Sequence, residues 1–481
     1  MMKRIINLII ALLAISAVTF AQNQVDALRY SQNFYGGTAR YMGMGGAFGA
    51  LGGDFSCLSF NPAGIGIYRS SEMTITPTLY FGKTKAGYLG QTISDFKYNF
   101  NLNNFGIVIS YTEDGDGYGW KGVNLGFGYN RLNNFHNNVL LEGVNNNSSM
   151  ADYFLNNANG TNYDELSPFS TGLAWYTYVI DTFPGSTNQY SSAVSSYGQT
   201  QRKTIHTEGS IGEYVIALGA NYSHKLYLGA TIGIQDIYYE ENSVYTETAN
   251  TDTIGDFTSF DFQQHLQTAG TGFNFKIGML YRPVNWARIG AAVHTPTFIS
   301  LEDNYYNSMS SVIFDQNFDH ESPKGIYNYD LTTPLRVMGS MAFIFKKYAL
   351  LSVDYEFVDY TTARLRANDY SFILENEATQ TMYTATGNIR AGLELRNGPF
   401  SVRGGYGFYG SPYTSSEANS NANYSTISGG FGIKDKGFFI DIAYVYSTMS
   451  ENYYLYDHAD IEPVTFDKSA SRIMTTIGIK F

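Results

Sequence analysis

Chemistry in this chain would have to come from its histidines, its single cysteine, its glycine-rich run or its charged pairs. The seven histidines are His136, His206, His224, His265, His294, His320 and His458. No two stand at the His-x-x-x-His spacing that turns a pair of imidazoles toward one metal ion. No Gly-x-Ser-x-Gly surrounds a nucleophile. The run Gly43-Met44-Gly45-Gly46-Ala47-Phe48-Gly49-Ala50 lacks the Lys-Ser/Thr ending and the strand–helix context of a phosphate loop. Cys57 stands alone, which excludes an intramolecular disulfide. No catalytic residue, metal site or cofactor is therefore expected, and the chain does not read as an enzyme. What remains is a set of charges late in the chain: Asp354, Glu356, Arg390, Glu394, Arg396, Arg403, Asp441 and Arg472. They share one face of their segments, opposite an apolar face. Unpaired charge there would be prohibitive, so they are expected to pair across neighbouring strands as a plugging ion network.

The elements that carry these charges alternate with period two. Leu226, Leu228, Ala230, Ile232 and Ile234 alternate with Tyr227, Gly229, Thr231, Gly233 and Gln235. Phe438, Ile440, Ile442, Tyr444 and Tyr446 repeat the pattern, and so do Val123, Leu125, Phe127 and Tyr129. About fourteen such segments span 72–82, 97–112, 120–131, 208–223, 224–242, 262–282, 286–302, 328–346, 348–360, 383–397, 399–410, 424–434, 436–449 and 471–481. An even strand number suits a bacterial transmembrane antiparallel β-barrel. The last segment ends on the aromatic Phe481, in the manner of an outer-membrane assembly signal read by the barrel assembly machinery. An exposed apolar terminal strand in a soluble sheet would invite aggregation, and barrel closure removes that hazard.

Composition agrees. Charged residues are 15% and aromatics 16%, with 41 Tyr, 33 Phe and 49 Gly. Such Tyr and Phe suit aromatic girdles. Beyond the amino terminus no run is long and apolar enough for a membrane helix. A basic Met1-Met2-Lys3-Arg4, an apolar Ile5–Phe20 and Thr19-Phe20-Ala21 predict a secretory signal over 1–21, cut before Gln22. A net charge of −12 argues against a nucleic-acid partner. Residues 22–71 do not alternate and read as a compact Gly-rich hatch ahead of a barrel over 72–481. A long outer loop is expected at 132–207, with short helices near 148–157 and 169–180. Pro296 interrupts one strand and is read as its outer end rather than a kink or gap in the wall.

The Gly-Ala-rich run followed by Asn61-Pro62-Ala63-Gly64, the strand count and the terminal Phe481 together resemble FadL-type outer-membrane transporters, here a Bacteroidetes-like member. The resemblance implies a fourteen-stranded barrel plugged by the amino-terminal hatch, with Asn61, Pro62, Ala63 and Gly64 as hatch or gating residues. It implies passive transport of hydrophobic small molecules such as long-chain fatty acids. Ligand would be captured near the outer loops and would leave often sideways through the wall. Trp175, Tyr178 and Phe183 are the candidate capture residues. Expected partners are the hydrophobic ligand and outer-membrane lipids. A relative of the same family that binds exported protein cargo in a secretion system supplies the alternative function. A general porin would need an open lumen, which a hatch opposes.

Overall fold

The computed structural model describes residues 23–113, 118–250, 256–457 and 461–481. The expected signal segment 1–21 and His458 lie outside the described residues. Fourteen antiparallel wall strands close on themselves. They are β1 Glu72–Tyr88, β2 Gln91–Thr112, β3 Trp120–Asn134, β4 Gln199–Tyr222, β5 Leu226–Thr248, β6 Phe257–Val284, β7 in two pieces (Ala287–His294 and Phe298–Ile313), β8 in two pieces (Gly325–Thr332 and Arg336–Phe345), β9 Ala349–Asp359, continued by Arg364–Arg366, β10 Ala385–Asn397, β11 Phe400–Tyr409, β12 Tyr424–Lys434, β13 Phe438–Tyr453 and β14 Val464–Lys480. Closure is the β1–β14 ladder, from Glu72↔Lys480 to Gly87↔Thr465.

The two faces of each strand are inverted relative to a soluble sheet. Leu125, Phe127, Ile216, Leu218, Ile277 and Ile477 point outward and exposed, while Thr74, Thr76, Asn124, Glu213 and Thr476 are buried inside. Each large apolar side chain left in water forgoes about 1.5–3 kcal/mol. Dozens of them in one belt make sense only against lipid, where a closed barrel pairs backbone groups along its ladders.

One end of the barrel carries short connections, such as Gly398-Pro399 between β10 and β11 and residues 435–437 between β12 and β13. The hatch enters and the chain finishes there, where the Phe481 N–H bonds the Ser71 carbonyl at 3.0 Å. We call it the turn end. At the opposite loop end the strands overshoot the expected spans. β4, β5 and β6 have 24, 23 and 28 residues, against about 9–11 needed to cross a bilayer. The apolar alternation stops at the lipid boundary but the ladder continues, so the expected outer loop shrinks. Its flanks join the wall as the end of β3, as strand Asn137–Asn145 paired to β4, and as the start of β4.

Between them lie α-helices Met150–Ala158 and Thr171–Tyr176 and a small hairpin, Ile180–Thr182 with Tyr190–Ser192. These pack with Phe260, Phe262 and Met309 into a core of their own at the loop end. Its polar centre is fully buried Glu247. This carboxylate accepts from Ser149 Oγ at 2.6 Å, the Met150 N–H at 2.7 Å and Gln201 Nε2 at 3.0 Å, so it caps the first helix. Glu247→Ala leaves those donors unpaired and should cost this cap about 3 kcal/mol. Hydrogen exchange should accelerate in 149–158 while β10–β14 stays protected.

Candidate functional site

The hatch occupies the lumen. After helix Gln24–Arg29 and helix Ala39–Gly43, two 3-10 turns, Phe55–Ser59 and Pro62–Ile67, complete it. Asn61 organises the second turn. Its Oδ1 accepts from the Ala63 N–H at 3.1 Å, and its Nδ2 donates to the Gly49 carbonyl at 2.6 Å and to the Met279 carbonyl of the wall at 3.3 Å. Pro62 opens the turn, where its missing N–H costs nothing.

The wall beneath is stripped to backbone. A Cβ on Gly229 would stand 2.2 Å from the Pro62 carbonyl oxygen, and one on Gly278 2.0 Å from Asn61 Oδ1. On Gly290 it would stand 2.4 Å from the Gly49 oxygen. These lumenal glycines of β5, β6 and β7 are a floor on which the Asn-Pro-Ala turn rests. Tyr41, Met44, Phe48, Phe55, Leu58 and Phe60 fill the space above and are fully buried.

The charged wall pairs as the alternation predicts, and part of it pairs with the hatch. Glu356 binds Arg336 at 2.6 Å and Arg390 at 3.1 Å. The Arg390 guanidinium lies 4.0 Å from the Phe60 ring centroid. Asp354 accepts from the Gly49 N–H at 3.0 Å. Glu394 holds hatch residue Arg40 at 3.0 Å and Arg403 at 2.5 Å, while Arg403 also reaches Asp441 at 2.5 Å. Arg396 completes the set on Glu394. Arg472 bonds the Tyr424 hydroxyl at 2.9 Å. The Glu213–Lys276 pair and the hatch partner Arg40 were missed in the sequence. Their only signal is a charge on an otherwise small face.

A seam opens in the wall between β2 and β3. Their ladder ends at Asn104↔Asn130, and above it Gln91–Asn103 pairs only with β1 among the described residues. β3 bulges at 131–133, where its register to β4 shifts. The hatch takes the freed carbonyls: Phe34 N–H donates to Leu132 at 2.8 Å and Gly36 N–H to Arg131 at 2.8 Å. Among the described residues the seam is bridged by side-chain donors and ion pairs rather than by a ladder. Asn138 Nδ2 donates to the Phe96 carbonyl at 3.0 Å, Asn99 meets His136 at 2.8 Å, and Lys97 faces Glu208 at 3.6 Å. Behind it lies a small cavity of about 20 Å³, bordered by Phe34, Tyr80, Asn101, Asn103, Arg131 and Arg472. Nε and Nη1 of Arg131 are buried there without a hydrogen-bond partner. On the lipid side, Tyr98 and Phe100 beside the seam are 68% and 70% exposed.

Pro296 corrects one expectation. It does not end its strand but breaks β7 mid-wall, and residues 333–335 break β8 at the same level. Residues 295–297 face only 274–275 of β6, a bulge. Threonines replace the lost ladder bonds: Phe275 N–H donates to Thr295 Oγ1 at 3.0 Å and Thr297 N–H to Thr333 Oγ1 at 2.9 Å. The wall therefore bends here but stays stitched. Outside the bend is a groove of about 520 Å³ lined by Ile234, Phe273, Phe298, Leu331 and Arg366.

The three capture candidates sit in the loop-end cap and do not border the seam cavity. Trp175 stacks on Tyr163 with centroids 5.2 Å apart, Tyr178 packs on Phe318 at 4.6 Å, and Phe183 is exposed on the small hairpin. His294 is a core group whose Nε2 lies 2.8 Å from the Phe60 carbonyl. Among the described residues no three His, Cys, Asp or Glu side chains gather as a metal site would require.

The chain matches no family profile and no curated protein. Solved structures do match. A Pseudomonas aeruginosa FadL homologue aligns with a TM-score of 0.52 at 12% identity, over 94% of this chain and 98% of its own. The P. putida toluene transporter TodX aligns with a TM-score of 0.53 at 12% identity, over 93% and 99%. At this identity the likeness is one of fold.

Proposed function

From a barrel with the fold of the FadL-type channels, we propose that this protein is a passive outer-membrane channel for hydrophobic small molecules, gated by its hatch. The observation that carries the reading is the seam. It lies beside lipid-facing aromatics, lacks a ladder, and is backed by a small cavity that hatch residues Phe34 and Gly36 border. An apolar solute leaving by that seam would enter the bilayer without a water-filled pore through the lumen. Long-chain fatty acids are the finer proposal, because Arg131 offers buried, unpartnered donors and Arg472 borders the same cavity. A buried cation without a counter-charge is costly, and a carboxylate head would supply one. In this reading Asn61, Pro62, Ala63 and Gly64 anchor the hatch on its glycine floor, and exposed Tyr178 and Phe183, with Trp175 behind them, collect ligand at the loop end. Phe481 is presented at the turn end for the assembly machinery.

The test is uptake of a labelled long-chain fatty acid by a Gram-negative host lacking its own transporter, at matched surface levels of protein. Uptake should appear with the protein and change when residues 59–64 are deleted from a barrel that still folds. In an Arg131→Gln variant, fatty-acid uptake should fall about tenfold, for the loss of one charge-assisted contact, while a neutral hydrocarbon is unaffected. No uptake from a correctly folded barrel would sink the reading in favour of protein-cargo binding.

A further inference from the structure

The turn end holds a second feature that transport does not use. Just below the hatch lies a cleft of about 440 Å³. Arg40, Lys347, Arg396, Arg403, Lys434 and Lys480 line it, against the carboxylates of Asp54, Glu72 and Asp441. The whole chain carries a net charge of −12, so this excess of cations is local and opposite in sign to the rest. Four of the six are committed. Arg40, Arg396 and Arg403 share Glu394, and Lys480 pairs with Glu72 at 2.6 Å. Lys347 and Lys434 have no carboxylate partner among the described residues, and Lys347 Nζ stands 5.8 Å from the Tyr348 ring. The remaining lining is Tyr348, Pro399, Ile433 and Phe439, with Ser401 and three glycines.

We propose that this cleft is a receptor for an amphiphile with an oxyanion head, a carboxylate or phosphate, whose head is held by Lys347 and Lys434 and whose short apolar tail lies against Tyr348, Ile433 and Phe439. A concave site lined by one sign of charge concentrates the opposite sign. Lysine suits it, because an ammonium is a point charge that accepts an oxyanion from several directions. Two ammonium groups, one on the β8–β9 turn and one at the end of β12, with apolar side chains in the same lining, match an anionic head on a tail better than a bare ion or a neutral lipid. The inference does not depend on what the barrel transports.

The probe is octyl phosphate, below its micelle concentration, titrated calorimetrically into the full-length protein in zwitterionic nanodiscs. One saturable site is expected. Its affinity should fall about tenfold in K347Q/K434Q, as the loss of two partly exposed ion pairs implies, and should persist in K347R/K434R. Octanoate should follow octyl phosphate, whereas octanol should bind no differently to wild type and to K347Q/K434Q. Inorganic phosphate should bind more weakly than octyl phosphate for want of a tail. Repeating the titration in nanodiscs containing phosphatidylglycerol separates the sources. A weaker apparent affinity there, in wild type only, supports the site with a bilayer phospholipid as occupant. An unchanged one supports it with a free amphiphile. Equal affinities for wild type and K347Q/K434Q, or loss in the K347R/K434R form, would overturn the proposal.

Discussion

Valine at positions 229 and 278 is expected to unseat the hatch and make a closed barrel leaky. Each new side chain begins at a Cβ only 2.2 Å and 2.0 Å from Pro62 O and Asn61 Oδ1. One of those contacts is carbonyl backbone, which has little room to yield. Overpacking costs about 1–3 kcal/mol per site, so about 4 kcal/mol for the pair. The same 4 kcal/mol is about a thousandfold in the population of an undocked hatch. The barrel itself should tolerate the change, because valine suits a strand and the β4–β5–β6 ladders do not depend on the hatch. Planar-bilayer recordings should show a steady conductance absent from wild type, and the unheated protein should keep the gel mobility of a folded barrel. A folded G229V/G278V protein as tight as wild type would mean that the floor does not hold the hatch.

The second large effect concerns the seam. Among the described residues a few side-chain contacts hold β2 across the seam, including Asn99 with His136 at 2.8 Å. Side-chain contacts at such partly exposed sites are worth about 0–1 kcal/mol each, far less than a run of ladder bonds. The seam is therefore the part of the wall that parts most readily. Paired cysteines at 99 and 136, bridged by a short bifunctional thiol reagent, should reduce uptake of hydrophobic solute to background. The same variant left unbridged should retain it. Cys57 is fully buried and should not interfere. Undiminished uptake after complete bridging would rule the seam out as the path and point to the lumen or to the stitched bend at Pro296.

Much of this architecture is written in local pattern. Period-two alternation marks wall strands because lipid and lumen impose opposite chemistry on successive residues. That rule holds through the lipid-facing belt, and it places Glu356, Arg390 and Glu394 on the inner face, where they pair, and Asp354, which accepts from the hatch. The hatch is visible as a stretch without alternation, rich in Gly and closed by Asn61-Pro62-Ala63. The strand ends are less legible. Above the lipid boundary the outward residues become polar, as with Lys83 and Lys85 on β1, so the alternation that signals a strand disappears while its hydrogen bonds go on.

Sequence by itself determined that the chain is a barrel with an inverted exterior and an inner face of opposite charges, because both follow from residue type at fixed spacing, whereas the plug rested on a Gly-rich run and the resemblance it carries. Tertiary structure alone decided where the wall lacks a ladder and where it merely bends. A seam is the absence, among the described residues, of a second ladder for Gln91–Asn103, which pairs with β1 alone, and absence leaves no mark on the residues themselves. At Pro296 the missing donor is visible in the chain, but whether the wall opens or is stitched rests on Thr295 and Thr333. Thr333 reaches it from the next strand. For the same reason Arg131 looks like any strand arginine until the bulge turns it inward, and Lys347 and Lys434 become one cleft only when β8–β9 and β12–β13 bring their turns together.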